Sequence, residues 1–164
     1  MTRGLKIALG LLLFMVISSI IGDALSKLES NTRPESPLAE IIRRAEKHLP
    51  RVEKASAAQR QRIQDTTYQL YRVRAAYALK ASTHEQAFYV AARMSGPMVG
   101  YDSHGIGVWL VEGTKDTPGA VLSLNRPAHD FSSAPVSKEA VRETIPKNPE
   151  ARAVAMVVEA EWKR

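Results

Sequence analysis

The chain holds neither glycine nor proline between Arg51 and Ser95, where it reads RVEKASAAQRQRIQDTTYQLYRVRAAYALKASTHEQAFYVAARMS. Alanine, glutamine and arginine are abundant in this stretch, and these residue types favour the α-helix. Thr83 and Gln86 have the spacing of a capping box, which indicates a break near Ala81 and a restart of the helix after it. The stretch therefore predicts a long, once-interrupted helix.

One side of this predicted helix is apolar and the adjoining side is basic. The apolar seam is well filled only from Ile63 to Tyr77, so packing against a preceding helix is favoured over an extended coiled coil. The same Ile63–Tyr77 seam is the predicted contact if the protein forms a homo-oligomer. At 100° per residue, five basic residues fall within one sector of the helix: Arg51, Lys54, Arg62, Arg72 and Lys80.

The basic residues are concentrated in one part of the chain. The formal net charge is +6, and residues 33–80 alone carry eleven Lys or Arg against five acids. Such a stripe can bind an anionic surface, either lipid head groups or a nucleic acid, or it can be a solvated helix face. Tyr68 and Tyr71 lie on another face, so the pattern of a nucleic-acid platform is incomplete and a nucleic-acid partner is disfavoured.

The N-terminal residues predict targeting to a membrane. A short basic leader, residues 1–6, precedes an uncharged apolar run, residues 7–22. Residues 5–22 are predicted to bind the membrane, either as a signal anchor or as a signal peptide cut near Ala24. The charge bias places the bulk of an anchored protein outside the cytoplasm, at the cell inner membrane. Cleavage would instead release a periplasmic or secreted protein.

The rest of the chain divides at its glycines and prolines. The predicted domains are a signal peptide or anchor (1–24), a linker (25–35), a helical region (36–95) and a small α+β unit (96–164). In the last unit, residues 106–112 and 120–125 predict a β-hairpin, and Asn148 with Pro149 predicts the start of a helix over 151–162. Apolar side chains also recur at every second position within residues 151–162, so a strand is the competing prediction. The predicted fold class is α+β and mostly helical.

Two loops place a carboxylate beside an imidazole. They contain Asp102 with His104 and His129 with Asp130, and together these side chains are weak candidates for a divalent metal site. Ser103 beside His104 could also form part of a nucleophile set. Neither pattern has diagnostic spacing, and ordinary turn chemistry explains both. The chain has no cysteine, which excludes thiolate chemistry and disulfides. No catalytic residue, metal or cofactor is assigned.

Taken together, these features predict an exported or membrane-anchored binding or structural protein of a bacterial envelope, with an unknown protein partner. The first alternative is a small envelope hydrolase or metal-binding protein that uses His104 and His129. The second alternative is a binder of anionic lipid or nucleic acid that works through residues 33–80.

Overall fold

The structure is a computed structural model that describes residues 36–97, 105–136 and 146–163. In chain order its elements are α1 (Pro37–Glu46), a 3-10 turn (Leu49–Arg51), β1 (Glu53–Lys54), α2 (Ala57–Thr66), β2 (Arg72–Lys80), β3 (Ala87–Ser95), β4 (Ile106–Gly113), β5 (Pro118–Ser123), α3 (Arg126–Phe131) and α4 (Pro149–Trp162).

The five strands form one antiparallel sheet in the order β1-β2-β3-β4-β5. The prediction of a mostly helical fold is therefore wrong. The predicted long helix of residues 51–95 is a two-residue strand, a short helix and a β-hairpin formed by β2 and β3. The Ile63–Tyr77 seam does not exist as one helix face, because Ile63 lies in α2 and Tyr77 lies in β2.

Burial on both faces explains why alanine-rich segments form β2 and β3. Phe88, Val90 and Ala92 of β3 face one core, whereas Tyr89 and Ala91 face the other. Helices cover both faces, so residues 75–79 of β2 and 87–92 of β3 lack the polar positions that normally reveal a period of two. Small alanine side chains let the helices approach the sheet, and this packing outweighs their weak β propensity.

The sheet is curled around α2. In a flat sheet, four strand-to-strand steps would separate β1 from β5 by about 19 Å. Here Glu53 of β1 forms an ion pair with Lys115 in the β4–β5 loop, and Arg62 Nε of α2 donates to the Gly119 carbonyl of β5 (2.7 Å). We call the face that α2 and α3 cover the concave face and the opposite one the convex face.

The concave core is built around Trp109, with Ile63 of α2 and Ala128 of α3 packed into the same cluster. Asn125 joins α3 to β4 by three hydrogen bonds: its Oδ1 accepts from the Val108 and Ala128 amides (2.9 and 3.1 Å), and its Nδ2 donates to the Ile106 carbonyl (2.9 Å). The side chain thus both caps α3 and anchors it to the sheet.

Helix α4 covers the convex face, where it contacts β2, β3 and β4, and α1 packs against α4. The predicted helix start is confirmed: the Asn148 side chain accepts from the Glu150 and Ala151 amides (2.9 and 3.1 Å), and Pro149 follows it. The helix, and not the competing strand, is therefore correct for residues 151–162. The predicted β-hairpin is also present, as β4 and β5.

The predicted membrane segment, residues 5–22, and the cleavage point near Ala24 lie outside the described residues. Within residues 36–97, 105–136 and 146–163, no helix combines the length and the apolar character that crossing a membrane requires. On this finding the prediction of an inner-membrane protein with a transmembrane helix is corrected.

Candidate functional site

The predicted histidine site is only half described. Asp102 and His104 lie outside the described residues, whereas His129 and Asp130 lie in α3. Asp130 Oδ2 accepts from Arg126 Nε (3.3 Å), one turn away in the same helix. Across the described ranges, no three His, Cys, Asp or Glu side chains are grouped so that they could hold a metal ion. A metal or catalytic role for these four residues stays a prediction.

The five residues of the predicted basic stripe are distributed over four elements. They lie in the 3-10 turn (Arg51), β1 (Lys54), α2 (Arg62) and at opposite ends of β2 (Arg72 and Lys80). The helix geometry behind the stripe is therefore absent. Its only member in the groove described next is Lys54.

A groove of about 450 Å³ opens where β1, α2, β2 and the end of α4 meet. We call it the basic groove, and it is lined by Lys54, Ala55, Arg60, Arg74, Ala75, Ala76, Tyr77 and Glu161. Three of these side chains are cationic and one is anionic. Small alanine side chains form much of its lining, so a ligand there can come close to the backbone of β2.

The groove exists because β1 ends early. This strand pairs only with Tyr77 and Ala78, and the last backbone contact is the Ala55 amide donating to the Ala76 carbonyl (3.0 Å). Beyond Ala76, the β2–β3 register shifts between Val73 and Ala76, and α2 takes the place of a neighbouring strand. Such irregularities at sheet edges redirect side chains out of the regular pleat.

Gln64 of α2 closes the next part of the β2 edge. Its Oε1 accepts from the Val73 amide (2.9 Å), and its Nε2 donates to the Tyr71 carbonyl (3.1 Å). The side-chain amide thus makes the two bonds that a neighbouring strand would make. Because Arg60 precedes Gln64 by four residues, both lie on the same side of α2, and Arg60 reaches the groove.

The start of α2 is also fixed by side chains. Ser56 Oγ accepts from the Gln59 amide (3.1 Å), and Gln59 Oε1 accepts from the Ser56 amide (3.0 Å), which together form a capping box. Gln59 is almost completely buried. The helix that carries Arg60 is therefore held at its first turn by the core.

The charges of the groove are unbalanced. Lys54 and Arg60 are exposed, and neither forms an ion pair within the part of the chain that the structure describes. Arg74 Nε donates to Ser95 Oγ of β3 (2.9 Å), a neutral partner that orients the guanidinium without neutralising it. Glu161 is the one acid among the lining residues. Three cations held close together favour an anion from outside.

A second polar cluster surrounds Glu150, near the N-terminus of α4. Glu150 Oε2 accepts from both the amide and the hydroxyl of Ser82 (3.0 Å each), and its Oε1 lies 3.8 Å from His48 Nδ1 and from Arg51 Nη1. The carboxylate also faces the positive end of the helix dipole. It ties the β2–β3 loop and the 3-10 turn to α4, which is a structural role.

We expect Glu150→Ala to lower the free energy of unfolding by about 2 kcal/mol, because the Ser82 amide and hydroxyl and the two basic groups lose an acceptor that is itself buried. Urea denaturation followed by far-UV circular dichroism measures this loss. Glu85→Ala removes an exposed carboxylate from the same loop and should change the stability by less than about 0.5 kcal/mol. Equal losses in the two variants would contradict the assigned role.

A second pocket of about 460 Å³ lies beside the β2–β3 loop, lined by Thr83, His84, Glu85, Gln86, Ala87, Leu110, Glu112 and Gly113. Residues 82–86 are all exposed, and Gly113 has a positive φ of 94°. Half of its lining residues belong to the β2–β3 loop and half to β3 and β4, and none of the polar side chains among them is buried. The lining of this pocket is therefore a weaker indication of a ligand than the lining of the basic groove.

Sequence reasoning missed Arg60, Arg74 and Glu161, which come together only in the folded chain. One local signal was present for Arg74: Arg72, Val73 and Arg74 alternate with the period of a strand. Nothing in the sequence indicates that the end of α4 lies beside the edge of β2.

Comparison with known proteins yields no match to a family model, to a curated protein or to a solved structure.

Proposed function

We propose that the protein is a binding protein that holds an acidic segment of a partner protein in the basic groove. The observation that carries this proposal is the convergence of Lys54, Arg60 and Arg74 around one concave site with a single carboxylate, Glu161, to offset them. Charged patches of this kind raise the rate at which oppositely charged partners associate.

The size and lining of the groove suit a short peptide segment. A volume of about 450 Å³ lies within the range of small-ligand sites, and it accommodates a few residues. The alanine floor admits a main chain, whereas the arginines can pair bidentately with carboxylates. Glu161 disfavours an acidic residue at its own end of the groove, so it restricts how the ligand can lie.

A protein partner fits better than a nucleic acid. Nucleic-acid binding requires cations repeated along the phosphate backbone and, for single strands, aromatic rings on which bases stack. The groove holds three cations, and Tyr77 is the one aromatic residue in its lining. The alternative of a hydrolase or metal-binding protein at His104 and His129 stays a separate prediction.

The test measures binding of a fluorescein-labelled octaglutamate peptide to the full chain by fluorescence anisotropy. We expect the Arg60→Ala/Arg74→Ala variant to bind at least tenfold more weakly, since two charge-assisted contacts are lost. The matched control, Lys80→Ala/Arg126→Ala, removes the same charge outside the groove and should weaken binding less than twofold. Affinity should also fall as salt rises from about 50 to about 200 mM.

Two outcomes would overturn the proposal. Equal weakening in both double variants would mean that the peptide responds to net charge and not to the groove. A labelled single-stranded oligonucleotide that binds more tightly than octaglutamate, and that loses its affinity in the Arg60→Ala/Arg74→Ala variant, would assign the groove to nucleic acid.

A further inference from the structure

Two large apolar side chains project from the loop between α2 and β2. Tyr68 is 50% exposed and Leu70 is 71% exposed, and the third exposed large apolar residue of the described chain, Leu38, lies apart from them in α1. We call the pair the Tyr68–Leu70 knuckle. Single exposed apolar residues are common on protein surfaces, so the position and rigidity of this pair decide whether it indicates a binding surface.

The backbone of the knuckle is fixed. The Tyr68 amide donates to the Phe131 carbonyl (3.0 Å), and the Tyr71 amide donates to the Tyr68 carbonyl (2.9 Å). Beneath the loop, the rings of Tyr71 and Phe131 pack with their centroids 4.7 Å apart. The two side chains are therefore presented by an ordered turn, and little conformational entropy is lost when a ligand covers them.

Arg72 braces the same turn. Its Nη1 donates to the carbonyls of Gln69 and Tyr71 (2.8 and 3.1 Å). The guanidinium is thus directed back onto the knuckle. Arg72 therefore supports the apolar surface, and we do not count it among the cations of the groove.

The knuckle lies in line with the basic groove. Helix α2 leads from Arg60 past Gln64 to the knuckle, and β2 leads back from it to Arg74. The hydrogen bonds of Gln64 to Tyr71 and Val73 keep these two elements side by side along the way. Leu70 and Arg74 are four residues apart, so at most about 13 Å of chain separates them, and the turn at residues 68–71 shortens this distance.

We infer that the partner segment carries an apolar side chain about four residues from its acidic group, and that this side chain packs against Tyr68 and Leu70. The inference rests on the proposed function and specifies its ligand. An extended peptide advances about 3.3 Å per residue, so a spacing of four residues is enough to span the separation that the chain from Leu70 to Arg74 allows. The acidic group attracts the partner segment to the groove. The apolar group buries surface against the knuckle and fixes the position of the segment along the groove.

The test uses three labelled peptides with the full chain. The first has an Asp-Glu-Asp run, three serines and then leucine; the second replaces the leucine by serine; the third places the leucine directly after the acidic run. We expect the first peptide to bind about tenfold more tightly than the other two, which is the gain that burial of one leucine side chain provides.

The Leu70→Ser variant should remove this tenfold preference and leave the affinity for the second peptide unchanged. Leu38→Ser is the matched control, because it changes an exposed leucine in α1, and it should keep the preference. Both positions are exposed, so neither change is expected to prevent folding.

The possible failures are distinct. If all three peptides bind equally and the Arg60→Ala/Arg74→Ala variant weakens each of them, the apolar contact is wrong while the proposed groove stands. If none of the peptides binds the wild-type chain, both the inference and the proposed function are wrong. If Leu38→Ser abolishes the preference and Leu70→Ser does not, the apolar contact lies at α1.

Discussion

Replacing Trp109 by alanine should lower the free energy of unfolding by about 3–5 kcal/mol, the largest loss that we expect from any single substitution. Trp109 is fully buried in the concave core, and its Nε1 donates to Ser132 Oγ (3.4 Å). Truncation leaves a cavity bounded by the sheet and the helices, which cannot collapse independently. Because folded domains are only marginally stable, most of the stability would be lost.

Gly107 provides a sharper test of the same packing. A Cβ atom added at Gly107 would lie 2.1 Å from Cη2 of Trp109, so the indole occupies the space where a side chain would project. We expect Gly107→Ala alone to lower the free energy of unfolding by about 2 kcal/mol. In a Trp109→Ala background the same change should be neutral or stabilising, since the new methyl group enters the vacated space.

Urea denaturation followed by far-UV circular dichroism measures all four members of this cycle. Trp162→Ala serves as a control, because Trp162 is only half-buried and stacks with Arg93 at the surface of α4 (4.0 Å). Its loss should be clearly smaller than that of Trp109→Ala. Additive effects of Gly107→Ala and Trp109→Ala would contradict the described packing.

Replacing Asn125 by alanine should lower the free energy of unfolding by about 3 kcal/mol. The substitution leaves the buried amide of Val108 and the carbonyl of Ile106 without their partner, and it removes the cap of α3. Thermal and urea denaturation measure the effect. Gln61→Ala removes an exposed amide from α2 and should be close to neutral, and a comparable loss in both variants would show that Asn125 is not a structural centre.

The sequence predicts the β4–β5 hairpin and α4 better than the segment from β1 to β3. Asn148 and Pro149 mark the start of α4 because a side-chain cap and a proline act locally, over three residues. The hairpin of β4 and β5 was predictable because glycine and proline bound its loop. Helix α1 also begins at a proline, Pro37, a residue that is common at the first helical position.

The prediction of a long helix over residues 51–95 failed because the contacts that decide the structure of this segment are not local. In residues 72–80 and 87–95, alanine content favours a helix, and only the packing of helices on both faces makes a strand the better choice. The spacing of a capping box occurs more than once in this segment, and the sequence does not show which occurrence starts a helix. Thr83 with Gln86 lies in the β2–β3 loop, whereas Ser56 with Gln59 forms the actual capping box.

The candidate site was less predictable than the fold for the same reason. A charge count identifies residues 33–80 as basic, and this range contains Lys54, Arg60 and Arg74. It cannot separate these three from the cations that lie elsewhere, such as Arg62, because that distinction depends on the early end of β1 and on the path of α2 along β2.

The most direct test of binding at the groove and the knuckle is an NMR titration of the ¹⁵N-labelled full chain with the peptide that has leucine four residues after its acidic run. We expect chemical-shift changes concentrated at Lys54, Arg60 and Arg74 and continuing to Leu70, and we expect the changes in the groove to disappear in the Arg60→Ala/Arg74→Ala variant. Changes concentrated instead at the second pocket, around Thr83 and Gly113, would contradict binding in the groove. The absence of any change at a peptide excess that saturates the anisotropy signal would contradict it as well.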